Sequence, residues 1–202
     1  EDLLAELAFE RTAVRYFYTR QRQTLGLGHA VLCARSFVGN RPFVVALGDS
    51  IIGMHAESDV VGRMTQCFRD QQASAVIAFE EVSLAEVSQY GIARPRTSGE
   101  VFEIEDLVEN PLQDEAPSRL AIAARYVLAP SVFDELARTP PGKGGEIQLT
   151  DAIRRVIRNG GRAYGVRLRP DERRYDIGNL EAYFQAFVEF ALADPRYGAS
   201  VR

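Results

Sequence analysis

Hydrophobic positions along the chain alternate between two kinds of run. Phe43-Val44-Val45-Ala46-Leu47 is continuously apolar and stops at Gly48-Asp49. Ser74-Ala75-Val76-Ile77-Ala78-Phe79 repeats the pattern. Continuous runs of this length suit strands buried on both faces of a parallel sheet. Between them Val60, Val61, Met64, Cys67 and Phe68 recur at helical spacing, with Arg63, Asp70 and Gln71 among the polar positions. Strand, helix, strand in this order predicts a βαβ unit, and such folds place ligands at the carboxyl ends of their strands.

Around this centre the pattern predicts further elements. Tyr16-Phe17-Tyr18-Thr19-Arg20 is short, aromatic and β-prone, and leads through the glycine-punctuated QTLGLGH into a helical stretch, AVLCARSFV. Ser83 and Glu86 stand at capping-box spacing ahead of a short helix ending near Tyr90-Gly91. Residues 91–95 and 101–108 read as a hairpin across RPRTSGE, and 119–128 as a central strand. Ser131 opens a short helix, SVFDELAR. Leu149, Ala152, Ile153, Val156 and Ile157 mark a longer one, stopped by Gly160-Gly161. Residues 163–168 form a last strand, and Asn179 caps a terminal helix running to about Leu192. No repeat or linker divides the chain, so residues 1–202 are expected to form one α/β domain.

Composition narrows the function. With 24 Lys+Arg against 28 Asp+Glu the net charge is -4, the wrong sign for binding nucleic acid by neutralising phosphates in bulk. No apolar run approaches membrane-spanning length, and the acidic EDLLAELAFERTAVRYF is unlike a signal peptide, so a soluble, intracellular (cytoplasmic) protein is expected, without membrane partners. Cys33 and Cys67 lack a CxxC pattern, which argues against a zinc site or disulfide framework. Lys143 is the only lysine.

Asp49 ends a buried strand, where α/β sheets present catalytic groups and where a carboxylate is a hard oxygen ligand for Mg²⁺ beside phosphates. The competing reading is a simple turn cap. Asp176 in RRYDIGN lies between a strand and a helix, and either supplies a second carboxylate or caps that helix. The two glycines of QTLGLGH permit close backbone approach to a ligand, although the spacing is neither GxGxxG nor a Walker loop. His29, expected in the first turn of a helix, and His55, in the loop GMHAES, have no nucleophile-pairing pattern. PPGKGGEIQLTD is a glycine-rich entry to a helix, with Thr150 and Asp151 as capping groups.

Taken together, several stretches resemble the bacterial UTP–glucose-1-phosphate uridylyltransferases, which are sugar nucleotidyltransferases. The match runs in order through RQRQTLGLGHAVLCA, FVVALGDSII, EVSQYGIARP, DLVENPLQDEAPSRLAIAARYVLAPSVFDEL, TPPGKGGEIQLTDAI and RRYDIGNLEAYFQAFVEFAL. GLGHAVLCA and GGEIQLTDAI are the most distinctive. The resemblance implies a Rossmann-like, GT-A-like three-layer α/β/α fold with a mixed sheet, assembled as a homodimer or homotetramer. It also implies a reaction in which UTP and α-D-glucose 1-phosphate give UDP-glucose and pyrophosphate, by in-line attack and with Mg²⁺ as cofactor. Carried over by position, Gln21 would read the uracil edge and Gly26 would let the nucleoside lie against the backbone. Asp49 and Asp176 would be the catalytic, metal-binding pair. Gly91, Glu109 and, near the same pocket, Glu146 would hold the sugar.

Two departures accompany the resemblance. The family's N-terminal strand and its G-x-G-T-R phosphate loop have no counterpart, so the nucleotidyltransferase domain is expected to be incomplete at its N-terminus. The family's V-E-K-P motif reads Val108-Glu109-Asn110-Pro111. Asparagine at the sugar-phosphate position brings no charge, and Lys143 and Arg173 are the cations considered as replacements. Other readings are a sister enzyme using another base or sugar, and a degenerate sugar-nucleotide-binding homologue. A GT-A glycosyltransferase is disfavoured because GDS lacks that class's D-x-D.

Overall fold

The computed structural model describes residues 14–53 and 58–201. His55 and residues 1–13 lie outside them. Helices α1 (Leu27–Cys33) and α2 (Arg35–Val38) lead into strand β1 (Phe43–Ala46), then β2 (Ser50–Ile52), α3 (Val60–Asp70) and β3 (Ala75–Glu81). The hairpin β4 (Gly91–Pro95) and β5 (Val101–Glu109) precedes β6 (Leu120–Leu128), α4 (Val132–Arg138) and α5 (Leu149–Arg158). Strands β7 (Ala163–Arg167) and β8 (Arg174–Asp176), with helices α6 (Leu180–Ala193) and α7 (Gly198–Val201), complete the described chain.

The main sheet is mixed, in the order β1-β6-β3-β7-β5-β4. Strand β3 is the one that the apolar run predicts: Ala75, Ile77 and Phe79 face one layer, and Val76 and Ala78 the other. Helices α1, α4 and α5 cover the first face through Val31, Phe133, Leu136, Ile153 and neighbours. Helix α3 covers the second with Val60, Met64 and Cys67. The three-layer α/β/α arrangement with a mixed sheet is therefore present.

Strand β1 departs from expectation. It pairs antiparallel with β6, Phe43 opposite Leu128 and Ala46 opposite Arg125, and its burial alternates instead of being complete. Among the described residues it has no neighbour on its other side, which leaves Val44 46% exposed. Strands β1 and β3 do run parallel, but β6 lies between them, so the βαβ unit spans an inserted antiparallel strand. Tyr16–Arg20 forms no strand; the segment is irregular and exposed. The Ser83–Glu86 pairing forms, with Ser83 N–H donating to the Glu86 carboxylate at 3.0 Å, but it closes a turn before a 3-10 helix, Val87–Gln89. Asn179 caps α6 as expected, accepting from Ala182 N–H at 2.9 Å. No helix among the described residues is long and apolar enough to cross a membrane.

On the α3 side, Glu172 is 5% exposed and clamps a loop to that helix. Burial raises its pKa, but hydrogen bonds from the Arg169 N–H, the Ser58 hydroxyl and the Arg63 guanidinium more than offset this, leaving the net value below the usual glutamate range. A carboxyl whose folded pKa is depressed stabilises fully above its unfolded pKa and loses that contribution as pH falls towards the folded value. Glu172→Gln should cost about 2 kcal/mol at neutral pH, the size of a charged hydrogen bond. It should also narrow the stability difference between pH 7 and pH 4 in urea unfolding; an unchanged difference would exclude Glu172 as a source of acid lability. Gly165 packs its Cα against the Phe102 ring, where a Cβ would collide with three ring carbons. Gly165→Ala should lose about 1–3 kcal/mol by overpacking, read from the same urea curves.

Candidate functional site

Strand β6 carries different partners along one edge. Its C-terminal half pairs with β1, and near its start Ala121 pairs with Ile92 of β4. Between these two pairings a cavity of about 190 Å³ opens, floored by Ile122, Ala124 and Tyr126. Asp49 and Asp176 stand at one end of it, and Gly91 and Glu109 at the other.

The Asp49 end is built by a bulge. The β3–β6 register shifts between Ile77 and Phe79, and Ala124 takes a φ of 55°. This turns the Ala124 carbonyl towards Leu47, whose N–H donates to it at 3.2 Å. The next residue, Arg125, sends its guanidinium beneath the turn after β1, donating to the Leu47 carbonyl at 3.2 Å and the Ser50 carbonyl at 2.7 Å. Burial lowers the pKa of Arg125 and the Asp49 charge opposes that shift. Asp49 is thus held in a turn pinned at both ends. Among the described residues its carboxylate takes no hydrogen bond, so the turn-cap reading does not account for it.

The small sheet β2–β8 brings the second aspartate in. Ser50 lies opposite Asp176 in register, and Ile177 N–H donates to the Asp49 carbonyl at 2.8 Å. A Cβ on Gly178 would stand 3.2 Å from Asp176 Oδ1 and 3.5 Å from Asp49 Oδ2, so both carboxylates converge on the space this glycine leaves. Asp176 also accepts from its own turn, Gly178 N–H at 3.2 Å, and from Arg174 at 3.0 Å. Among the described residues no three His, Cys, Asp or Glu side chains cluster to hold a metal. Two carboxylates are nevertheless the donor set with which Mg²⁺ is commonly held when phosphates and water supply the remaining ligands.

At the opposite end Gly91 and Glu109 face each other across the β4–β5 hairpin. A Cβ on Gly91 would come within 3.0 Å of Glu109 Oε2 and 3.4 Å of Thr150 Oγ1. Glycine thus leaves room beside a carboxylate and a hydroxyl that a side chain here would crowd. Burial pushes the pKa of the Tyr126 phenol up, and the nearby Glu109 charge adds to this.

Sequence reasoning missed Tyr126, Thr150 and Arg174. Arg174 is the most legible of these, because it precedes Asp176 by two residues on one strand and so shares its face. Its side chain is 6% exposed, lies over the Tyr90 ring at 4.9 Å, and bridges Glu80 and Asp176. Thr150, expected as a cap, is buried beside the cavity one residue into α5, whose N-cap is Gln148.

A second, more open cavity of about 460 Å³ shares Leu27, Leu47 and Asp49 with the first. Gln21 and Gly26 line it. Gly26 has a φ of 88°, and the space a Cβ would need is filled by the Glu146 Cβ at 2.7 Å and the Ile147 carbonyl at 3.0 Å. The glycine is therefore required by the docking of 146–147. Glu146 lies on this side, bonded to Gln148 at 3.2 Å, and not among the residues lining the Gly91–Glu109 end where the sequence places it.

Asn110 also falls outside the cavity lining. Its φ is 47°, its N–H donates to the Tyr90 carbonyl and its side-chain amide donates to the Ser88 carbonyl, each at 3.0 Å. Arg173 pairs with Glu189 at 2.7 Å.

The family described as nucleotidyl transferase matches residues 2–191. A UTP–glucose-1-phosphate uridylyltransferase 2 of Staphylococcus saprophyticus is 39% identical over 194 residues, 96% of this chain and 65% of that protein. A Staphylococcus epidermidis UTP–glucose-1-phosphate uridylyltransferase is 35% identical over the whole chain and 68% of its own length. The chain thus spans about two thirds of the curated relatives it matches. Among solved structures, a UDP-glucose pyrophosphorylase complexed with UDP-glucose superposes with a TM-score of 0.84 at 39% identity, covering 92% of this chain and 69% of that one. A UTP-bound UGPase from Acinetobacter baumannii gives 0.81 at 33% identity, over 98% and 69%.

The left-handed backbone at Asn110 makes a specific demand. Lysine there must adopt a conformation costing about 1–2 kcal/mol and forfeits the bond to Ser88. Asn110→Lys should therefore lower stability by at least about 1 kcal/mol in urea unfolding, and Asn110→Gly by less. Equal losses would remove the backbone argument.

Proposed function

The chain belongs to the nucleotidyl transferase family, and from that premise we propose that it carries the base- and sugar-binding part of a UTP–glucose-1-phosphate uridylyltransferase. The observation that carries the proposal is the position of Asp49 at the junction of two cavities. One is lined by Gln21 and Gly26, the other by Gly91 and Glu109. A nucleotide lying along the first and a sugar phosphate in the second would meet beside this carboxylate. Glu109 then accepts sugar hydroxyls, for which an ionised carboxylate has the lone pairs, and Thr150 and Tyr126 contribute hydroxyls beside it.

The reaction is attack of the glucose 1-phosphate oxygen on the α-phosphorus of UTP, with pyrophosphate leaving. The protein's part is to align the two phosphates and to balance the charge that builds on them. Asp49 and Asp176 would hold Mg²⁺, which when bound supplies charge neutralisation at the phosphate oxygens. Asn110 is turned towards Ser88; among the described residues Arg174 is the cation lining the sugar-side cavity, fixed by Glu80 and stacked on Tyr90. A cytoplasmic homodimer or homotetramer belongs to the same reading.

Calorimetric titration of UTP tests the proposal. Binding to the wild type should strengthen at least about tenfold when Mg²⁺ replaces EDTA, and Asp49→Asn should abolish most of that gain, a loss of roughly 1.4 kcal/mol or more. UTP binding of equal strength with and without Mg²⁺, or a gain that Asp49→Asn retains, would overturn the assignment of the aspartates.

A further inference from the structure

The Gln21 side chain is committed in a way the sequence does not reveal. Its Nε2 carries two hydrogens. One is donated to the Gly26 carbonyl at 3.0 Å and the other is directed at His29 Nδ1 at 2.8 Å. Both donors therefore point inward, to the loop and to α1. Oε1 is the side-chain polar atom that neither contact engages, on a residue that lines the cavity with Gly26 and Asp49. Rotating the amide by half a turn would set Oε1 against the Gly26 carbonyl oxygen, two acceptors with no hydrogen between them. The Gly26 carbonyl, itself held by the pairing of Leu25–Gly28 with Ile147, and His29 Nδ1 together fix the orientation of the amide. His29 can complete this arrangement only as a neutral ring with its proton on Nε2, since only then does Nδ1 accept.

We propose that His29 is a positioning residue for base selection: through its Nδ1 it holds Gln21 as an acceptor-only group in the base pocket. The inference rests on the nucleotide reading above and adds the basis of its selectivity. An acceptor in that place complements a pyrimidine whose N3 bears hydrogen, as in uracil. It opposes cytosine, whose N3 offers a lone pair, and an acceptor facing an acceptor is an unfavourable contact. Thymine also carries an N3–H, so this contact alone does not separate uracil from thymine. Without the histidine the second Nε2 hydrogen is unclaimed and the Gly26 contact alone opposes rotation, so the amide can present a donor as well as an acceptor.

The test has a spectroscopic arm and a binding arm. In ¹⁵N-labelled wild-type protein, long-range proton–nitrogen correlations should show His29 protonated on Nε2 with Nδ1 as acceptor, together with a coupling across the hydrogen bond to Gln21 Nε2. In competition binding with Mg²⁺, the wild type should prefer UTP over CTP by about tenfold or more, as one lost polar contact implies. His29→Phe keeps a ring but no acceptor and should reduce that preference at least about fivefold. His29→Asn, whose side-chain oxygen sits near the former Nδ1, should restore it to within about twofold. A proton on Nδ1 of the wild type, or an unchanged UTP/CTP ratio in a His29→Phe variant that retains the wild-type circular dichroism spectrum, would overturn the proposal. If His29→Phe does not fold, the tautomer of the wild type decides. If the wild type binds neither nucleotide, the nucleotide reading fails and base selection by His29 falls with it, whereas an Nδ1–H tautomer with UTP binding intact rejects the positioning role alone.

Discussion

The site depends on one backbone constraint: a single edge of β6 is shared between two strands that do not meet. Every buried carbonyl and N–H along such an edge needs a partner. Where β1 has ended and β4 has not begun, the partners come from the bulge at Ala124, the Leu47 N–H and the Arg125 guanidinium. The interruption in pairing is what makes the cavity, and its satisfaction by Arg125 is what fixes the turn bearing Asp49. A regular β6 would close the gap and leave that turn without its anchor.

A second constraint aligns the two cavities. Gly26 and Gly28 let the 146–147 segment approach so closely that Gly28 N–H donates to the Ile147 carbonyl, and Ile147 N–H to the Leu25 carbonyl, each at 2.8 Å. A Cβ on Gly28 would stand 2.6 Å from the Ile147 oxygen. The two most distinctive motifs of the chain are therefore in contact, each shaping the other. The same docking sets the Gly26 carbonyl and, through it, the Gln21 amide. Gly144 and Gly145, both at positive φ, turn the chain just ahead of this contact.

Charge in the site is balanced rather than uniform. Asp49, Asp176, Glu109 and Glu80 gather near Arg174 and Arg125, and the arginines are engaged in holding carbonyls or carboxylates in place. Burial tends to lower the pKa of both arginines; at Arg174 the neighbouring Glu80 and hydrogen bonds reverse that tendency. Such groups act chiefly by geometry, since a guanidinium offers a rigid fork of donors that stays charged.

Local sequence determined much of this protein. Continuous apolar runs predicted β3 and β6, helical spacing predicted α3 and α5, and Asn179 marked the start of α6, because burial and capping are read from neighbouring residues. The ordered motifs also identified the family. Tertiary structure alone decided the rest. The apolar run at Phe43–Leu47 predicts a strand but not its antiparallel partner or its exposed edge, and Tyr16–Arg20 has strand propensity but no strand to pair with. Glu146, Asn110 and His29 were assigned or set aside by motif, yet what each does follows from the carbonyls and amides that meet it: Gly26 beside Glu146, Ser88 beside Asn110, Gln21 beside His29. Strand register, a bulge and the convergence of Asp49 with Asp176 are relations between segments distant in the chain. Their energies depend on partners that no local window contains.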